Sequence, residues 1–242
     1  MRLDKGHLVA RLATTPGDIV RAQELRHICF FAARGLSRPG GRDRDDFDDR
    51  CRHVLIEDAG GRLLACFRVM VLPAARIAES YSAQFYDLAA LSRYPHPILE
   101  LGRFCSHPAA QDPDLLRLAW AAITGLVDAD GAGLLFGCTS FAGADAGRHR
   151  VALAHLAAHH LAPSAWAPRA KGLALALPTG AVDARAALSA MPPLLRSYIG
   201  MGGWVSDHAV IDLAMDTVHV FTALEVARIP AARARALRAL AS

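Results

Sequence analysis

The run Ile98-Leu-Glu-Leu-Gly-Arg-Phe-Cys105 constrains the fold most, because it sets a carboxylate and a guanidinium inside an apolar segment bounded by Pro97 and Pro108. Side chains alternate along a strand, so Glu100 and Arg103, three apart, point to opposite faces and each needs its own partner. Gly102 lets another backbone or a ligand approach closely. The segment therefore predicts a buried central strand, its charges being either ion-pair members of the core or working groups.

Upstream residues offer matching charges. Leu8 to Leu12 predicts a strand and Thr15-Pro16 a helix start, with the helix running to about Ala33 and carrying Arg26 and Phe30 on one face at i and i+4. Residues 34–44 predict a Gly/Pro/Arg-rich loop too polar to pack. Asp45-Asp-Phe-Asp-Asp49 follows; its carboxylates repel one another, so they must face water, arginines or a cationic ligand. Cys51 to Glu57 and Arg62 to Leu72 predict a hairpin whose second strand places Arg68 between Phe67 and Val69. A buried arginine asks for a carboxylate, which the acidic segment can supply.

Beyond the hairpin, a short helix is predicted around Gln84 to Leu91, and a longer one capped at Asp112-Pro113 and closed by Gly131. A strand over Leu134 to Ser140, a helix over Asp145 to His160, a strand over Leu173 to Leu177 and a helix from Met191 to near Gly200 follow. Strands at Trp204 to Val205, Ala209 to Met215 and Val218 to Leu224 precede a basic helix from Pro230 that carries Arg233, Arg235 and Arg238. With 242 residues and 53% hydrophobic content, one domain with a substantial core is expected.

Several function classes recede on composition. The net charge of +4 rests on scattered arginines rather than one basic face, against nucleic-acid binding. His155, His159 and His160 share a helix but lack the glutamate of a metalloprotease motif, so no metal is expected. The five cysteines form no Cys-x-x-Cys pair and read as reduced core thiols. The longest apolar stretch, Leu115 to Cys138, is interrupted by charge, so a cytoplasmic protein is expected, with peripheral contact of the basic tail with the inner membrane or an acidic carrier left open.

Taken in order, Arg26/Phe30, Asp45-x-Phe-Asp48, Arg68 and Glu100-x-x-Arg103 resemble the signature of acyl-homoserine lactone synthases and long-chain N-acyl amino acid synthases. Within that group the chain is most similar to ornithine acyl-carrier-protein N-acyltransferases, through Asp-x-Phe-Asp-x-x-Cys-x-His (Asp45 to His53), Glu-Leu-Gly-Arg-Phe-Cys (Glu100 to Cys105), Phe-Gly-Cys-x-Ser-Phe (Phe136 to Phe141) and Pro-Pro-Leu-Leu-Arg-x-Tyr (Pro192 to Tyr198). The likeness covers about residues 10–225. It implies an α/β fold akin to the Gcn5-related N-acyltransferases (the acyl-CoA N-acyltransferase fold), with a central mixed sheet flanked by helices and an acyl chain near the central strands. The text departs from the resemblance at Ala109-Ala-Gln-Asp-Pro-Asp114 and Met215-Asp-Thr-Val-His219, on the donor side and at the acyl-chain end.

On that resemblance the reaction is transfer of a 3-hydroxyacyl group from the phosphopantetheine of acyl carrier protein to the α-amine of L-ornithine. No Gln/Arg-x-x-Gly-x-Gly/Ala pyrophosphate loop follows Cys105, which favours the carrier protein over coenzyme A as donor and implies no bound cofactor. Glu100 is expected to take the amine proton, its pKa raised by burial, and Arg103 or Arg68 to bind the carboxylate. Asp45 and Asp48 are expected to hold the second ammonium, and Arg26, Phe30, Phe104, Ser140 and Phe141 to line the substrate. The competing reading makes Asp45, Asp48 and Arg68 one structural ion-pair network. Rival functions are a signal synthase using S-adenosylmethionine, disfavoured by the Phe136 and Pro192 motifs, an acyltransferase for another amino acid, and a non-catalytic carrier-binding or membrane-active protein.

Overall fold

The computed structural model describes residues 1–241. A hairpin of β1 (Arg2–Lys5) and β2 (Leu8–Leu12) opens the chain, and α1 (Pro16–Phe30) follows. Its start is set by a reciprocal cap: Thr15 Oγ1 accepts from the Asp18 N–H at 3.1 Å, and the Asp18 carboxylate accepts from the Thr15 N–H at 3.3 Å, with Pro16 in the first turn. The expected hairpin is β3 (Arg52–Asp58) and β4 (Leu63–Leu72), paired antiparallel with Arg68 opposite His53.

Residues 84–91 correct the sequence expectation. No α-helix forms there; 3-10 turns flank the short strand β5 (Tyr86–Asp87). Tyr86 is buried with its hydroxyl 2.9 Å from His219 Nδ1 and donating to the His219 carbonyl at 3.0 Å, and its extended backbone pairs with a later strand. Those contacts outweigh the weak local preference for helix.

The central run becomes β6 (Ile98–Ser106), followed by α2 (Asp114–Asp130), which ends on Gly131 at φ +62°, the left-handed cap that favours glycine. Then come β7 (Leu134–Ala142), α3 (Arg150–His159), β8 (Arg169–Ala170), β9 (Ala174–Ala176), α4 (Ala184–Ala190), which the sequence reading missed, and α5 (Pro193–Gly200). Strands β10 (Trp204–Val205), β11 (His208–Asp212) and β12 (Thr217–Glu225) precede α6 (Ala231–Ala241).

The chain divides into two compact units. The first holds Met1–Met70, Leu101–Gly131 and the residues from Ala231; in it β1, β2, β3 and β4 form an antiparallel ladder. Ala22 and Leu25 of α1 pack there on Cys66 and Cys105. The basic helix α6 also belongs to this unit: Leu237 is buried, and Arg238 grips Asp128 of α2 through two bonds of 2.8 Å.

The second unit holds Val71–Glu100 and Ala132–Pro230, with a mixed sheet. Strand β6 runs parallel to β7 over Ile98–Glu100 and Leu134–Phe136, and β7 pairs antiparallel with β12 along its full length. β12 continues to β11 and β9. Phe141, Val218 and Val220 face one side of this sheet and pack with Leu153, Leu156, Leu195 and Ile199 of the helices. Among the described residues, no helix is long and apolar enough to cross a membrane.

Candidate active site

In the first unit, six buried or half-buried charges interlock. Arg26 on α1 is 1% exposed; its Nε donates to Asp43 at 2.9 Å and its Nη1 and Nη2 grip both oxygens of Asp48 at 2.8 Å. Arg68 on β4 donates to Asp48 at 2.5 Å and to both oxygens of Asp45 at 2.5 and 2.8 Å. Arg103 on β6 bonds Asp43 and Asp45, both at 3.0 Å. Three guanidiniums thus balance three carboxylates, with Gln23 adding a 2.9 Å bond to Asp48. The Arg68 side chain lies over Gly102, so the close approach expected at that glycine is made by a side chain of the cluster.

The acidic segment therefore faces arginines. Burial pushes the Asp48 carboxyl up, but the Arg26 and Arg68 guanidiniums outweigh it and hold the group well below the usual carboxylate range. Asp45 is held down in the same way by Arg68 and Arg103. His53, opposite Arg68, is pushed down by burial and by the two neighbouring arginines although the Asp48 carbonyl accepts its Nε2 proton at 3.0 Å. Phe47, half-buried, stacks under Arg50 and Arg68, whose guanidinium carbons lie 5.3 and 5.8 Å from its ring.

Asp43 corrects the sequence reading of 34–44 as a loop too polar to pack. It is buried and is shared by Arg26 and Arg103. The signal was available by counting: three arginines in apolar settings need three carboxylates, and the Asp45 motif supplies two. Asp48, 2% exposed and gripped by both Arg26 and Arg68, presents no surface to a second ammonium, which corrects the expectation that it holds one. Asp45 is different, since a quarter (24%) of its side chain remains accessible, as does 12% of Arg103.

Phe30 packs on the Leu25 and Cys105 cluster, and Phe104 stacks on Phe67 with centroids 6.1 Å apart. The backbone at Arg103 is left-handed, φ +54°. Simple alternation from Glu100 therefore breaks there, and the guanidinium is aimed by a local bend in β6.

The second unit holds Glu100. Its carboxylate is 4% exposed and accepts from the Tyr81 N–H at 2.8 Å, the Ser82 N–H at 2.7 Å and the Ser82 hydroxyl at 2.6 Å. Neither donor was singled out from sequence. Register puts Glu100 beside Phe136, Phe221 beside Cys138 and His219 beside Ser140, so these side chains share one sheet face. Cys138 donates to Ser82 at 3.4 Å, and the rings of Tyr86 and Phe85 meet His219 edge-on over the same face. Ser140 is exposed on this face, whereas Phe141 points to the opposite one and is a core residue. Phe141 is thereby corrected from a substrate contact to packing.

Asp45 and Arg103 thus keep one charge of each sign at accessible surface in the first unit, and the second unit holds the Glu100 carboxylate among three donors. Among proteins of known activity, the chain is 33% identical over 229 residues to the L-ornithine N(alpha)-acyltransferase of Rhodobacter capsulatus, spanning 89% of this chain and 88% of that protein. It is 34% identical over 243 residues to the enzyme of the same name from Brucella abortus, spanning 93% and 86%. The chain belongs to the L-ornithine N(alpha)-acyltransferase family. A profile described as an acetyltransferase (GNAT) domain matches residues 25–121, which include Arg26, Arg68, Glu100 and Arg103. A CoA-dependent acyl-homoserine lactone synthase, BjaI, shares the fold with a TM-score of 0.51 at 16% identity, over 96% of this chain and 85% of that one. This family member is accordingly an acyltransferase with the mixed-sheet fold that the sequence motifs imply.

Proposed function

We propose that the protein transfers a long-chain 3-hydroxyacyl group from the phosphopantetheine thioester of acyl carrier protein to the α-amine of L-ornithine, giving lyso-ornithine lipid. The observation that carries this reading is identity of 33–34% over nine-tenths of the chain to two L-ornithine N(alpha)-acyltransferases. The absence of a pyrophosphate-binding loop after Cys105 supports a carrier-protein donor.

Asp45 meets the side-chain ammonium of ornithine and Arg103 its carboxylate, since these two members of the ion-pair cluster keep accessible surface. Arg26, Arg68, Asp43 and Asp48 hold them in place. Glu100 takes the proton from the attacking amine, directly or through water, with Tyr81 and Ser82 fixing its position. Nitrogen attacks the thioester carbonyl, the carbon–sulfur bond breaks, and the phosphopantetheine thiol leaves.

The test is mass spectrometry of lipids from a bacterial host without amino-acid lipids, expressing this chain or its Glu100→Ala variant. New 3-hydroxyacyl-ornithine with the parent chain alone is the expected result. A different acyl amino acid moves the acceptor, and no new lipid from folded protein rejects the reading. Comparing acyl carrier protein with acyl-CoA as donor in vitro decides the donor separately.

A further inference from the structure

A chain of donated hydrogen bonds ends on Glu100 inside the second unit. The β6–β7 ladder reaches Glu100 and Phe136, and Cys138 is the next residue of β7 on that face. Its S–H donates to the Ser82 hydroxyl oxygen at 3.4 Å. That hydroxyl donates to Glu100 Oε1 at 2.6 Å, and the Ser82 N–H reaches the same oxygen at 2.7 Å. Ser82 is fully buried and Cys138 half-buried. Acyl transfer at Glu100 uses the carboxylate and its immediate donors; the thiol lies one bond further out.

A hydroxyl carries one proton and two lone pairs, and it rotates to suit its neighbours. The Ser82 hydroxyl lies between the Glu100 carboxylate and the Cys138 thiol. The thiol is a weak acceptor, and by donating it fills a lone pair of the Ser82 oxygen on its own side. The hydroxyl proton is then committed to Glu100. A donated bond also polarises the hydroxyl and strengthens its onward donation by about 10–30%. Donation to a carboxylate favours the charged form, which is the form that accepts a proton from the amine.

We propose, resting on the proton-accepting role of Glu100, that Cys138 is a positioning residue: its S–H commits the Ser82 hydroxyl to Glu100 and so keeps that carboxylate in its accepting form to lower pH. Without the thiol, the hydroxyl turns more freely and donates less strongly. The carboxylate then takes up a solvent proton at higher pH, and the acid limb of the rate profile moves up with it.

Three other titratable groups near this chain keep one charge state across that range. Burial and the Glu100 charge push the Tyr198 phenol of α5 far up, and burial does the same to Tyr86. His219, held down at about 4 by burial, is neutral above that value. The ornithine amine titrates alike with every variant, so a difference between profiles belongs to the enzyme.

The test is kcat/KM for ornithine against pH, with an acyl carrier protein thioester as donor, in the parent chain and its variants. Cys138→Ala is expected to move the acid limb up by about 0.5 pH unit, about a threefold loss on that limb. Ser82→Ala removes the hydroxyl itself and is expected to move the limb by about 1–2 pH units. In the Ser82→Ala background, Cys138→Ala is expected to add nothing, because the thiol acts through that hydroxyl. Cys138→Val fills the space without supplying a donor and is expected to match Cys138→Ala. An unmoved limb in Cys138→Ala, an equal further shift in the double variant, or a shift with alanine but not with valine overturns the proposal; the last marks lost packing. NMR titration of isotope-labelled glutamate carboxylates, with the Glu100 signal assigned by its absence from Glu100→Gln, reads the same displacement in free protein and needs no substrate. Displacement there without acyl transfer rejects the acyl-transfer reading and leaves the Cys138–Ser82–Glu100 chain standing. Transfer with no displacement rejects the positioning, so the two failures are distinguishable.

Discussion

Asp48 lies between two guanidiniums in a buried setting, and removing its charge leaves Arg26 and Arg68 short of a partner. Breaking one side of such a pair costs about 3–5 kcal/mol, because the remaining charge stays desolvated. Asp48→Asn is therefore expected to lower unfolding free energy in urea by roughly that amount, while the exposed neighbour in Asp46→Asn shifts it by less than about 0.5 kcal/mol. Equal effects at both sites would contradict the buried network. Glu100→Gln is a different experiment, since the amide keeps the shape but turns an NH2 group toward Tyr81 or Ser82, whose donors bond both oxygens of the parent carboxylate. Loss of a general base lowers turnover about 10²- to 10⁴-fold, expected here per folded molecule alongside a lowered thermal midpoint from the donor left facing the amide; full activity would remove the proton-accepting role. At this scale the sequence marked most of the charged residues, because charge among apolar neighbours is visible in one dimension. Asp43, Tyr81 and Ser82 were not marked: Asp43 stands in a polar loop, and the backbone donors of Tyr81 and Ser82 have no signature in side-chain identity.

Strand β6 bends at Arg103, a non-glycine residue held in the left-handed region at φ +54°. Such a conformation costs about 1–3 kcal/mol and persists where surrounding contacts enforce it. Arg103→Ala loses the guanidinium and keeps the strain, whereas Arg103→Gly loses the guanidinium and relieves it. The glycine variant is expected to be more stable than the alanine variant by about 1 kcal/mol in urea unfolding, with both inactive. The reverse order would mean that the bend relaxes when the side chain is removed. Elements with strong periodicity or punctuation were legible in advance: the Thr15 cap, the Gly131 stop and the β3–β4 hairpin all stand where the residues place them. The helix expected at 84–91 was lost to the Tyr86–His219 contact, a partner 133 residues away that no local pattern encodes.

Across the whole molecule, acid has two separable effects. Burial holds His219 down at about 4 in the folded state. The unfolded imidazole titrates near 6.5, so between those values the unfolded chain carries a proton that the folded chain excludes. Stability therefore falls as pH drops through that window, by up to about 3 kcal/mol for this residue, and His219 contributes no further loss below it. Asp45 and Asp48 act lower, because their depressed folded values make stability fall as pH passes below about 4. Chemical denaturation at a series of pH values should show a shallower slope between pH 4 and 6.5 in His219→Gln, with the steeper acid limb retained; an unchanged slope would exclude His219 as its source. The partition of the chain into two compact units has a consequence for synthesis. The first unit takes strands from the beginning of the chain, a middle segment and the α6 helix near residue 241. A ribosome delivers those parts in order and delivers α6 last. The early hairpins can form while the chain is still growing, but their closing helix arrives only after the second unit has been translated. Arrested nascent chains ending before Ala231 would therefore hold an incomplete first unit, open to protease.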